Sequence, residues 1–230
     1  MANLIAAALA YLLLHRAISG SKLRATMTRR LGETRYLRFF AFASVAALLW
    51  LGFAFADARS RPENIDLWTV PPFASWLQLG TQLIAFLFIA SGLVTPNPGT
   101  VRQQEAVNRP GIVQGMLRVT RHPFLWGVAI FAAGHLSVRS DVAGWILFGT
   151  LLIVAVSGTA SIDAKRRHLL GEQWLAFSSR TSNIPFAAIL DGRQRLNFKE
   201  IGWRPVLAAA AAWGASFFAH PYLFGGSVFP

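Results

Sequence analysis

VTRHPFLWGVAIFAAGHL, residues 119–136, decides the fold. The stretch opens on a charged turn, Arg121-His122-Pro123, and continues as an apolar run that ends on a second histidine, His135. A proline in the first turn of a helix is favourable, because its missing N–H would have no partner there anyway. The run predicts a membrane helix over 123–138, entered from the cytoplasm at the arginine, with the rest of the chain forming a bundle around it.

The composition supports that reading. Of the 230 residues, 54% are hydrophobic and only 14% are charged, where a soluble domain carries about a quarter charged residues. The formal charge of +12 suggests cytoplasmic loops held against anionic lipid rather than a nucleic-acid partner. There is no cysteine, which excludes disulfides, thiolate nucleophiles, zinc–cysteine sites and iron–sulfur clusters. The N-terminal run has no Lys or Arg before Arg16. It therefore reads as a retained first span with its N-terminus outside, not as a cleaved signal peptide.

Apolar runs long enough to span a bilayer lie at 2–18, 39–56, 77–94, 123–138, 142–162 and 205–223. The expected architecture is an all-α, polytopic transmembrane helical bundle of about six spans, a single integral membrane domain over 1–230. A mixed segment at 163–179 is expected to lie on the cytoplasmic face as an amphipathic helix. Pro62, Pro71 and Pro72 break the loop after the second span, and Thr95-Pro-Asn-Pro-Gly99 closes the third with a turn. The loop charges alternate as the positive-inside rule requires. Nineteen Lys/Arg fall on the inner side and three on the outer, which puts both termini in the periplasm. One short echo joins two inner loops: Leu31-Gly32-Glu33 before Tyr36, and Leu170-Gly171-Glu172 before Trp174.

The candidate chemistry lies in five histidines. His15 and His135 fall within predicted spans, where an ionisable side chain is costly and so has a partner or a role. His168 sits among Lys165, Arg166 and Arg167 and reads as a solvated face, and His220 reads as interfacial. Arg121 and His122 together, at a helix N-terminus, suit an anion such as a carboxylate or propionate. Gly127 permits close approach of a ring or another helix. No phosphate-cradling glycine loop, nucleophile elbow or zinc-helix motif is present. No acidic residue falls within the predicted spans, which argues against a proton- or cation-coupled transporter.

Residues 120–127 (TRHPFLWG) and 134–136 (GHL), with LHRAIS at 14–19 and RLGETRY at 30–36, resemble the NnrU family of bacterial membrane proteins. The resemblance runs through about residue 179. It implies a bacterial inner-membrane location and a link to denitrification, as part of a membrane complex in nitrite and nitric oxide metabolism. The family is related to zeta-carotene isomerase, which uses heme b held by histidines. By motif position those ligands fall on His15 and His135, with a lipophilic substrate drawn from membrane lipid. The isomerase has a cysteine three residues before its second histidine, where this chain has Ala132.

Depth separates the two histidines. His15 is near the inner end of its span, and His135 lies about 20 Å along its helix from His122. His15, His122 and His135 therefore all stand as candidate iron ligands, His15 first, with Arg121 as partner of a heme propionate. The RHP-x-x-x-Gly turn is also similar to isoprenylcysteine and phospholipid methyltransferases, which bind S-adenosylmethionine. Here Leu125 replaces their tyrosine, and Asp163 and Glu172 stand in for their paired glutamates. The function expected from the resemblance is heme-dependent isomerase or redox chemistry, ahead of methyl transfer. The alternative to both is a non-enzymatic membrane accessory protein.

Overall fold

The computed structural model describes residues 1–18 and 22–225. Ser19 of the quoted 14–19 stretch and the residues after 225 lie outside them. The described chain is helical: α1 (Ala2–Leu13), α2 (Lys22–Leu31), α3 (Glu33–Ala58), α4 (Ala74–Val94), α5 (Met116–Val119), α6 (Pro123–Val138), α7 (Val142–Leu170), α8 (Glu172–Arg180), α9 (Ala187–Leu190) and α10 (Trp203–Phe224). Four of them, α3, α4, α7 and α10, are long and apolar enough to cross a membrane, and two shorter apolar helices cover Ala2–Arg16 and Pro123–Val138. The protein is a helical membrane bundle.

Three boundaries differ most from the sequence reading, each for a local reason. The first helix leaves α geometry at Leu14, and residues Leu14–Ile18 form a π turn that carries His15. The second span starts at Glu33 rather than 39, because the Glu-Thr-Arg-Tyr-Leu-Arg segment continues the helix and Glu33 complements its N-terminal dipole. The fifth runs to Leu170 rather than 162. Its 29 residues rise about 43 Å, well beyond a hydrocarbon core of about 30 Å. No Gly or Pro interrupts 163–170, so the basic segment there extends α7 instead of starting an interfacial helix. Only Glu172–Arg180 is separate, and it buries Trp174 and Phe177 against Val113.

Both members of the Leu-Gly-Glu echo break the helix at a glycine of positive φ. Gly32 (φ +77) and Gly171 (φ +51) each end one helix and start the next in a left-handed conformation that a side chain would strain. The aromatic that follows is buried in each case, Tyr36 at 2% exposure and Trp174 at 0%.

The chain divides into two compact units. Met1–Pro71 and His135–Val154 form the first; Pro72–Gly134 and Ala155–Pro230 form the second. In the first, α1 and α3 run antiparallel: Trp50 donates to Asn3 Oδ1 (3.1 Å) near one end, and His15 meets Phe40 near the other. Their shared core is Leu4, Ala7, Ala8 and Tyr11 against Leu51, Ala54 and Ala58, joined by Ala143 of α7. Small residues let the backbones approach, which matters in lipid because close van der Waals packing replaces the hydrophobic drive of water. Asp141 caps α7 by accepting from Gly144 N, and Asn64 donates to the same carboxylate.

In the second unit, α6 lies on α4 through three glycines. A Cβ on Gly92 would meet the Phe124 backbone at 2.4 Å, one on Gly127 would meet Ile89 N at 2.7 Å, and one on Gly134 would meet Gln78 Oε1 at 2.4 Å. Gln82, 8% exposed within α4, donates to the Phe131 carbonyl of α6 (3.2 Å). α10 packs on α4 with Pro205 and Ala209 buried.

Candidate functional site

The Arg-His-Pro turn closes on one carboxylate. Thr120 leaves α5 in extended conformation, and Pro123 starts α6. Between them, Arg121 and His122 both point at Asp163 of α7. Arg121 Nε donates to Oδ1 and Oδ2 at 3.0 and 3.1 Å, and His122 Nε2 donates to Oδ1 at 2.7 Å. Asn183 Nδ2 completes the set at 3.1 Å from Oδ2. His122 is 4% exposed, and the Arg121 and Asp163 side chains are 12% and 15% exposed. Removal from water strengthens the ion pair and makes an unpaired member costly.

The surrounding backbone is tied to the same knot. Arg121 Nη1 donates to the Ser178 and Thr181 carbonyls, both at 3.2 Å, and to Thr181 Oγ1. Arg121 N bonds Ser182 O, and Thr120 Oγ1 bonds Asn183 O. Asn97, buried in the Thr-Pro-Asn-Pro-Gly turn, donates to the Arg121 carbonyl and accepts from Gly99 N. Arg166, on the overhang of α7, donates to Thr100 O at 2.7 Å. The loop after α4, the segment after α8, the overhang of α7 and the start of α6 are therefore joined in one polar junction. Sequence reading missed Asp163 as the partner, along with Asn97 and Asn183. The usable signal was an acidic residue just past an apolar run, 42 positions from Arg121.

Gly127 meets a helix: the Ile89 and Ala85 backbone of α4 occupies the space a side chain would need. His135 is stacked on Phe148, with ring centroids 4.3 Å apart and planes at 13°. His15 is tilted against Tyr11 (4.3 Å) and edge-on to Phe40 (5.6 Å). Its Nδ1 lies 3.0 Å from the Tyr11 carbonyl. A carbonyl only accepts, so Nδ1 carries a proton and Nε2 is the ring nitrogen left for another partner.

His15 and His135 are tied to different parts of α3. Phe40, beside His15, and Phe55, which packs on the Phe148 under His135, are fifteen residues apart on α3. That is about 22 Å of helix rise between the two phenylalanines. His122 is committed to Asp163. Among the described residues, no three His, Cys, Asp or Glu side chains form a metal-binding group.

The family model described as NnrU protein matches residues 3–228. The chain belongs to the NnrU family. This NnrU member is also similar to two chloroplastic 15-cis-zeta-carotene isomerases. It is 32% identical to that of Arabidopsis thaliana over 147 residues, 61% of this chain and 40% of the relative. It is 28% identical to that of Zea mays over 212 residues, 88% of this chain and 56% of the relative. The NnrU chain thus spans about half the length of the curated relatives it matches. No solved structure matches it.

Proposed function

We propose that this NnrU protein is a membrane-embedded isomerase acting on a cis double bond of a long apolar polyene, with heme b bound through His15. The observation that carries the reading is the similarity to 15-cis-zeta-carotene isomerases, which extends over 88% of the chain in one case. The geometry at His15 supports it. The bond from Nδ1 to the Tyr11 carbonyl orients the ring and leaves Nε2 as the ligating atom, as second-shell bonds to ligating histidines do. The π turn is a helix irregularity of the kind that recurs at functional sites. Tyr11 and Phe40 provide aromatic walls beside the imidazole.

When bound, the heme would supply an electron-accepting iron able to lower the double-bond character of a conjugated polyene. The protein's own residues would do the rest. His15 fixes the iron, the aromatic rings exclude water, and the Arg121–His122–Asp163 junction holds the helices in register without touching substrate. Isomerisation has no net redox change, so no co-reactant is consumed. The substrate is lipophilic and partitions from the bilayer into the bundle. The excess of basic residues on the loops after the first, third and fifth apolar helices supports insertion in a bacterial inner membrane with both termini periplasmic.

The test is detergent-purified protein expressed with ample heme, assayed by absorption spectrum and by chromatography of added 15-cis-zeta-carotene. The expected result is a Soret band lost in His15→Ala, together with conversion of the 15-cis bond. Colourless protein, or heme-loaded protein that leaves the polyene unchanged, overturns the reading. The second outcome favours the denitrification role. Calorimetric binding of S-adenosylmethionine to a colourless protein favours methyl transfer.

A further inference from the structure

The chain just after α4 builds a groove that none of the residues above uses. Two cavities of about 460 and 140 Å³ share Thr95, Pro96 and Arg109 as a common wall. The larger is bordered by Leu93 and Val94 on the last turn of α4, 64% and 48% exposed, and by Arg102. Arg102 is held at φ +63, a conformation a non-glycine residue rarely adopts. Neither Arg102 nor Arg109 has a carboxylate partner among the described residues. Of the two acidic residues at the cavities, Glu105 borders the outer one, and Glu200 at the inner one is already paired with Arg118. The inner cavity is also lined by Ser91, which is 1% exposed and whose hydroxyl has no hydrogen-bond partner.

Because α4 is long enough to cross a membrane, its last turn lies at headgroup level. Exposed aliphatic side chains, two guanidiniums on one cavity with no carboxylate partner among the described residues, and a buried hydroxyl without a hydrogen bond match an amphiphile with an anionic head and a hydroxylated end. The carbonyl dipole at the end of α4 opposes an anion weakly; two guanidiniums outweigh it, and they recognise phosphate with directed hydrogen bonds. We propose that this groove binds an anionic phospholipid of the phosphatidylglycerol type. Its phosphate sits on Arg102 and Arg109, its acyl chains lie along Leu93 and Val94, and its headgroup hydroxyls reach toward Ser91.

The test uses the full protein in nanodiscs of phosphatidylcholine with added phosphatidylglycerol, with retained lipid counted by native mass spectrometry. The wild type is expected to retain phosphatidylglycerol selectively, and Arg102→Gln/Arg109→Gln to lose roughly thirtyfold of that preference. Arg29→Gln/Arg30→Gln removes the same charge from α2 and is expected to keep it. An equal loss in both double variants shows diffuse surface charge and overturns the proposal, as does retention without preference. Displacement of the lipid by soluble glycerol 3-phosphate at matched concentration also overturns it, because the site would then be one for a free phosphate.

Discussion

His122 and Arg121 share one oxygen of Asp163: Oδ1 accepts from His122 Nε2 at 2.7 Å and from Arg121 Nε at 3.0 Å. Adjacent residues on an extended turn thus converge on a helix that arrives 42 positions later, and the pair that looked like a free anion site brings its own anion. Removing the carboxylate leaves a buried cation without its partner. Asp163→Ala should therefore destabilise the protein by about 3 kcal/mol. The double variant Arg121→Ala/Asp163→Ala should cost clearly less than the sum of the two singles, as coupled groups do. Thermal unfolding in detergent measures both; additive losses would remove the junction as a unit.

The α4–α6 contact makes a steric prediction. Gly127→Val places atoms where the Ile89 and Ala85 backbone already lies, so it should cost about 1–3 kcal/mol by overpacking. Gly149→Val enters open space and should stay within about 0.5 kcal/mol of wild type. The comparison of unfolding temperatures separates contact from helix propensity, since both sites exchange the same residues in a helix.

Glu200 sets a pH response. Its carboxylate accepts from Arg118 Nε at 2.6 Å and Nη2 at 2.9 Å, and from Gly115 N at 3.0 Å. The Arg118 bond first, then that from Gly115, lowers its pKa from 4.5 to about 2. A depressed carboxylate pKa stabilises the fold fully above the unfolded value, and the contribution is lost as pH falls through the folded one. Hydrogen exchange across Phe198–Ile201 should thus be flat above pH 4.5 and speed up, after correction for intrinsic rates, between 4.5 and about 2. Glu200→Gln should abolish that dependence.

The depth of the histidines gives a spectroscopic prediction. If heme binds through His15 alone, His135→Phe should keep the Soret band, since a phenyl ring can keep the stack on Phe148. His15→Ala should remove the band. Loss in both variants would mean that the two histidines meet at one iron after all.

The apolar runs, the proline that opens α6 and the Leu-Gly-Glu breaks were legible because each acts over a few residues. A span needs only length and apolarity, a first-turn proline only its missing N–H, and a left-handed glycine only its missing Cβ. The family motif was legible for the same reason, as a short run of residues. The tertiary structure alone decided what those residues touch. Arg121 and His122 found Asp163, which became available because α7 overhangs its apolar stretch by two turns. Gly127 met the backbone of α4. His15 and His135 received their aromatic neighbours from the antiparallel packing of α1 on α3 and from the stack through Phe148 to Phe55. These are long-range pairings between helices. Periodicity and spacing along one strand of sequence carry the face and length of each helix but not its neighbour's register, and only the packed bundle supplies that.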